Sequence, residues 1–367
     1  MVPKATFDFA FMSVYCVVQS FLLVYFIVPK ITGVIVARNL NEEPNHRSSH
    51  SKSTPSMGGI SFFITLILAL FVLQSFDQEQ MSVTLIASCA FIFIAGLKDD
   101  LVGLSPKGKV GVLLIATFFI FWHEPVYEPN VYGFLGMNVL PISVYYALLA
   151  LMVVTIVNAF NLIDGVDGLA ATIGMVVFSV FALIFYAADM QFYFLLCLCF
   201  TGMLLAYMYY NFSSTKKIFM GDTGSLLIGF CIAFMALKFL SMEVSDYRHF
   251  RFKIENKIFV LIGILCVPLA DTVRVMGVRL LQRKSPFYAD RNHVHHLLID
   301  RGMTHMKASL LLGFINLIVI LIVLWTAALF NSVGMLMVTA LLFLGFILTF
   351  VLLKKTGVHF LRTRIFE

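Results

Sequence analysis

A chain of 367 residues that is 60% hydrophobic and only 13% charged, with mean hydropathy +0.94, carries more apolar surface than a water-soluble core can hide. It reads as an all-α, polytopic integral membrane protein built as a single transmembrane domain over 1–367. The net charge of +6 would suit a nucleic-acid partner, but the basic residues gather in short loops between apolar runs, which argues for membrane topology and against nucleic acid.

A bilayer crossing takes about 20 apolar residues. Eleven spans are expected, near 9–28, 57–76, 81–97, 109–123, 141–160, 168–188, 192–210, 223–241, 258–278, 308–331 and 333–353. The first has the length of a true span and no small-residue cleavage site, so it is read as retained. The run 109–123 is the shortest; Ser105, Pro106 and Gly108 precede it, and it either begins earlier or lies tilted. The six cysteines all fall inside apolar runs, and the close pair Cys197 and Cys199 is read as packing.

Alternating eleven spans sorts the loops into two sets. One holds 29–56, 98–108, 161–167, 211–222, 279–307 and the C-terminal tail. With Lys109 and Arg274 at span ends it carries 20 of the 26 lysines and arginines. The positive-inside rule then places the N-terminus outside, the C-terminus in the cytoplasm and every polar motif on the cytoplasmic face.

The first such loop ends Arg47-Ser-Ser-His-Ser-Lys-Ser-Thr-Pro-Ser-Met-Gly-Gly59. Glycine amides at Gly58 and Gly59 with Lys52 and His50 nearby can cradle a phosphate. A basic loop meeting anionic headgroups is an equal reading. Next, Asp99 and Asp100 close the third span. Adjacent carboxylates repel, so a pair at a membrane edge points to a cation or a shared proton.

The central stretch is Asn158-Ala-Phe-Asn-Leu-Ile-Asp-Gly-Val-Asp-Gly-Leu169. Asn158 and Asn161 share a helix face. Asp164 and Asp167 cannot join them on one straight helix, and Gly165 and Gly168 supply the break that lets all four converge. Farther on, Phe219-Met-Gly-Asp222 opens the eighth span, where Asp222 suits both helix capping and Mg²⁺ ligation, with Thr223 and Ser225 adding hydroxyls. Asp271, inside the ninth span, requires a partner, and Arg274 stands three residues on. The last cytoplasmic loop holds Arg291, His293, His295 and His296. Three histidines in four residues admit zinc, but no further ligand completes a site, and the cluster better suits a phosphate-rich substrate.

Together these motifs resemble the polyprenyl-phosphate N-acetylhexosamine-1-phosphate transferases. The resemblance runs from Thr54 to His296, with Asp99-Asp100, the Asn158 to Gly168 segment, Phe219 to Asp222 and the histidine loop in family order. Val294 interrupts the histidine triplet and favours the undecaprenyl-phosphate N-acetylglucosamine branch. Thr54-Pro-Ser-Met-Gly-Gly59 looks closer to the phospho-MurNAc-pentapeptide branch, which stays as the alternative. The resemblance implies a bacterial cytoplasmic-membrane enzyme that uses Mg²⁺, with Mn²⁺ as a substitute. It would transfer the sugar 1-phosphate of a UDP-N-acetylhexosamine to undecaprenyl phosphate, starting a surface glycan such as O-antigen or another cell-wall polymer. It also implies a homodimer, Asp222 as metal ligand, and Asp99 and Asp100 at the lipid phosphate. Lys52, Asn158, Asn161, Asp164, Asp167, Arg291, His293, His295 and His296 would contact the nucleotide, diphosphate and sugar. A membrane transporter is the reading from another class, disfavoured because the polar groups crowd one face and no internal repeat is evident.

Overall fold

The computed structural model describes residues 4–42, 54–123, 129–283 and 293–365. Each of the eleven expected spans is helical: α1 (Lys4–Ala37), α2 (Gly59–Leu73), α3 (Met81–Val102), α4 (Pro106–His123), α5 (Ile142–Ile163), α6 (Leu169–Ala187), α7 (Gln191–Asn211), α8 (Gly221–Ser241), the pair α9 (Lys257–Ile264) and α10 (Cys266–Leu281), then, after the short α11 (Val294–Ile299), α12 (His305–Leu329) and α13 (Ser332–Ile365). Among the described residues nine of these are long and apolar enough to cross a membrane, and the bent α9–α10 pair makes ten if it counts as one span. The remaining expected span, 109–123, belongs to α4, which begins earlier, at Pro106, and takes Lys107 and Lys109 into its first turn.

Helix α8 is the axis of the bundle. It is apolar on every side, which is the pattern of a helix surrounded by protein, and all of its membrane-length window is buried. It packs on α3 and α5, with α2 alongside. Small residues set these approaches: a Cβ on Gly59 would fall 2.1 Å from the backbone of Gly224, and one on Gly96 2.5 Å from Thr223 Cα. Helices α1 and α13, by contrast, are mostly exposed and form the rim.

Two pieces of extended backbone finish the ends. Strand β1 (Asn41–Glu42) pairs antiparallel with β2 (Thr54–Pro55), and the hairpin β3 (Asn130–Phe134) and β4 (Met137–Val139) covers the end of the bundle where α8 finishes. At that end Lys238 of α8 binds both carboxylate oxygens of Glu79, at 2.7 and 2.8 Å, while Tyr193 donates its hydroxyl to the same carboxylate.

The ninth span is not the single helix expected. It bends by 72° between α9 and α10. Pro268 has no N–H for the carbonyl of Ile264 four residues back, and the turn opens there. Asn316 of α12, fully buried, repairs the gap. Its amide donates to Ile264 O at 3.0 Å and its oxygen accepts from Val267 N at 3.0 Å. Asn316→Leu would leave both backbone groups unsatisfied in a dry interior. It should destabilise the detergent-solubilised protein by about 2–4 kcal/mol, read as a drop in its thermal melting temperature.

Candidate functional site

The site lies where α3 ends, α4 and α8 begin and α5 ends. Asp100 is at its base. Its Oδ1 accepts from Asp222 N at 2.7 Å, and its Oδ2 accepts from Thr223 N at 3.0 Å and from the Thr223 hydroxyl. A helix start has free amides and a partial positive charge, and a carboxylate answers both. The expected cap of α8 was Asp222; the cap is instead Asp100, reaching across from α3, and Asp222 sits in the first turn. Gly221 makes this possible. Its φ is +70°, and a Cβ there would stand 2.7 Å from Asp100 Oδ2.

With its amide held from below, Asp222 keeps its carboxylate partly open, the side chain 33% exposed. Lys109 lies between Asp222 and Asp99: its Nζ is 3.1 Å from Asp222 Oδ1 and pairs closely with Asp99 Oδ2. Asp99 Oδ1 accepts from Leu104 N at 2.6 Å, which fixes the turn between α3 and α4. Asn161 donates to Asp222 Oδ1 at 2.5 Å and lies 2.7 Å from Ser225 Oγ. Asn158 shares that helix face but its amide turns back to Val154 O at 2.7 Å, so only Asn161 joins the carboxylates.

A second charged group flanks the first. Helix α5 ends at Ile163, Asp164 follows in the turn half-buried, and Gly168 takes φ +74° to start α6. Asp167 pairs with Lys217 Nζ at 2.5 Å and His305 Nδ1 at 3.0 Å, and its carbonyl accepts from Ser309 Oγ. Asn211 ties this turn to the loop before α8, its oxygen accepting from Gly168 N and its amide donating to Ile218 O. Lys109, Lys217 and His305 were not among the expected site residues. A lone basic residue at a helix end has no sequence signature that separates it from a solvated one.

The histidine loop is more buried than a loop facing solvent. His293, His295 and His296 are all below a tenth exposed. Asp271 organises them: Arg274, its expected partner, donates at 2.7 Å, His293 Nδ1 lies 2.8 Å from Oδ2, and Val294 N donates at 3.0 Å. His295 stacks on His293 with ring centroids 5.6 Å apart. Its Nε2 is buried without a hydrogen-bond partner among the described residues and faces Gly165, where a Cβ would stand 2.6 Å away. Burial first, then the neighbouring His296, holds its imidazole well below the ordinary histidine pKa and hence neutral.

One expectation changes. The Gly58 and Gly59 amides do not face a phosphate. They donate to Phe219 O at 2.9 Å and Met220 O at 3.1 Å, and Phe219 N donates to Pro55 O at 2.8 Å. The segment 54–59 is thus a clamp on the loop that delivers Asp222. Lys52, with His50 and Arg291, lies outside the described residues.

Magnesium usually takes one or two carboxylates and completes its shell with phosphate and water oxygens. Among the described residues no group of three or more His, Cys, Asp or Glu could hold a metal alone. The half-open Asp222 beside Asp99 fits the first arrangement. Asp100→Ala should separate capping from chemistry. It removes the acceptor of two buried amides and should cost about 1–3 kcal/mol of stability, whereas Asp99→Ala, which removes an ion-pair partner of Lys109, should shift the melting temperature less.

The glycosyl transferase family 4 model matches residues 81–240, which include Asp99, Asp100, Asn161, Asp167 and Asp222. The chain is 32% identical over 282 residues to the undecaprenyl-phosphate alpha-N-acetylglucosaminyl 1-phosphate transferase of Haemophilus influenzae, covering 76% of each chain. It is 31% identical over 280 residues to the protein of the same name from Pasteurella multocida, covering 75% of each. It is 29% identical over 310 residues to the probable undecaprenyl-phosphate N-acetylglucosaminyl 1-phosphate transferase of Bacillus subtilis, covering 81% of each. A helical membrane bundle with its carboxylates, amides and cations gathered at one end therefore belongs to glycosyl transferase family 4, and it is a phosphoglycosyltransferase.

Proposed function

We propose that this chain transfers N-acetylglucosamine 1-phosphate from UDP-N-acetylglucosamine to undecaprenyl phosphate, releasing UMP. The names of the relatives support the acceptor and the transferred group. The observation that carries the chemistry is Lys109 set between the carboxylates of Asp99 and Asp222, beside the buried start of α8. Two anionic phosphates must meet there, and positioned cations lower the repulsion between them.

In the reaction an oxygen of the lipid phosphate attacks the β-phosphorus of the UDP-sugar. The new P–O bond forms as the bond to the oxygen bridging the α-phosphorus breaks, and UMP leaves with that electron pair. The second pKa of a phosphate ester is about 6, so the attacking oxygen is largely deprotonated at neutral pH. Asp99 then need only orient Lys109 and the acceptor. Bound Mg²⁺, or Mn²⁺ in its place, would be held by Asp222 with help from Asp99 and would neutralise charge on the diphosphate. Asn161 fixes the Asp222 rotamer. Asp164, Asp167 with Lys217 and His305, and Asn158 would receive the nucleotide. The Nε2 of His295, without a partner among the described residues, would offer a neutral hydrogen-bonding atom to the sugar, with His293 and His296 as its support. The charge bias of the loops supports a cytoplasmic site in a bacterial inner membrane. The lipid-diphosphate sugar would then start a surface glycan.

Purified protein with undecaprenyl phosphate, Mg²⁺ and a panel of UDP-sugars, including UDP-MurNAc-pentapeptide, tests this by UMP release. UMP with UDP-N-acetylglucosamine, abolished by EDTA, is the expected result. Release with a different donor alone would move the specificity, and no release from any donor by folded protein would overturn the reading. Asp222→Asn should lower turnover by about 100-fold or more with the melting temperature retained. Lys109→Met should lower kcat by a comparable factor, because it leaves Asp99 and Asp222 to repel each other and the substrate.

A further inference from the structure

We propose that His305 is a positioning residue for the donor nucleotide: it holds the Asp167 carboxylate in place from α12 and acts through that carboxylate, without touching the nucleotide. This rests on the transferase reading above, in which Asp167 receives the nucleotide.

One face of α12 meets Asp167 at three atoms. His305 Nδ1 lies 3.0 Å from the carboxylate Oδ2 and 3.3 Å from the backbone N. One turn along the helix, Ser309 Oγ donates to the Asp167 carbonyl at 2.7 Å. Residues four apart share a helix face, so His305 and Ser309 together take the amide, the carbonyl and the carboxylate of a single residue. Ser309 is fully buried. Thr304 caps the first turn by accepting from Lys307 N, so the imidazole is carried on a fixed helix start.

The other cation on this carboxylate cannot orient it. Lys217 Nζ is 2.5 Å from the same Oδ2, but an ammonium on a four-carbon stem is a point charge that follows its partner as the partner turns. A flat imidazole has one direction at Nδ1. As a donor that nitrogen meets Oδ2, and as an acceptor it meets Asp167 N, so either tautomer returns the bond to Asp167. The hold matters because Asp167 stands in a turn, next to Gly168 at φ +74°. A carboxylate that rotates among conformers is ready for the nucleotide only part of the time, and the apparent affinity falls by that fraction.

The test uses purified full-length protein, with UMP release followed as UDP-N-acetylglucosamine is varied at saturating undecaprenyl phosphate, and with UMP binding measured by calorimetry. His305→Leu keeps bulk and loses Nδ1. It should raise the donor KM and weaken UMP binding about five- to tenfold, with kcat within about twofold of wild type and the melting temperature retained. His305→Asn, whose side-chain amide nitrogen reaches the place of Nδ1, should restore both to within about threefold. Asp167→Ala should raise KM, and adding His305→Leu to it should change nothing further, because no carboxylate is left to orient. Equal values for the Leu and Asn variants would overturn the proposal. Multiplied effects in the double variant would overturn it too, by giving the imidazole its own contact with the nucleotide, as would a loss confined to kcat. Calorimetry needs no turnover. Weaker UMP binding by His305→Leu, in protein that released UMP from no donor, would sink the transferase reading and leave His305 its role. UMP binding indifferent to His305 in an active enzyme would do the reverse.

Discussion

The arrangement depends on the carboxylate of Asp100 against the first amides of α8. A helix that is apolar on all sides and buried along its length packs its first turn against protein, so its leading N–H groups take acceptors from protein. Asp100 supplies two oxygens to Asp222 N, Thr223 N and the Thr223 hydroxyl. That fixes the height and rotation of α8 relative to α3, and with them the direction in which the Asp222 side chain leaves the backbone. Gly221, Gly59 and Gly96 are the positions where a larger residue would hold the partners apart. One capping contact thus sets the distance from Asp222 to Lys109 and Asn161.

Around this point the protein repeats one electrostatic device. Asp99 and Asp222 share Lys109, Asp167 has Lys217 and His305, and Asp271 has Arg274 and His293. Each carboxylate orients a cation rather than standing alone. Such pairs contribute modestly to stability once desolvation is counted. What they do well is hold long side chains in fixed rotamers, so that an arriving anion meets cations already in place and little reorganisation is left for the reaction.

Much of this was legible in the sequence, for identifiable reasons. Lipid forces spans to be long, apolar and helical, so the helical segments could be read from composition, and the earlier start of α4 was one of the two readings of 109–123. Asp99, Asn161, Asp167 and Asp222 stood out because charge and amides are rare where apolar runs end. The bend in the ninth span was not read, although Pro268 was visible, because a proline shows that a hydrogen bond is lost and not where the chain then turns. Asn316, which stabilises the bend, sits 48 residues later in an apolar run. The glycines at 58 and 59 looked like a phosphate cradle because sequence displays amides without their acceptors, which lie some 160 residues away at Phe219 and Met220. Lys109 and His305 carried no signal until the fold brought carboxylates to them.

The burial of α8 also bears on how the chain is made. Its principal neighbours, α3, α5 and α2, all precede it in the chain. Synthesis runs from the N-terminus, so when α8 leaves the ribosome the walls that surround it have already been delivered to the membrane. The helix with the least lipid contact need never be stored in lipid. The rim helix α13 comes last, where late arrival matters least. For α8 and the helices that wall it, order of synthesis follows order of assembly: the walls come first and the buried helix after them.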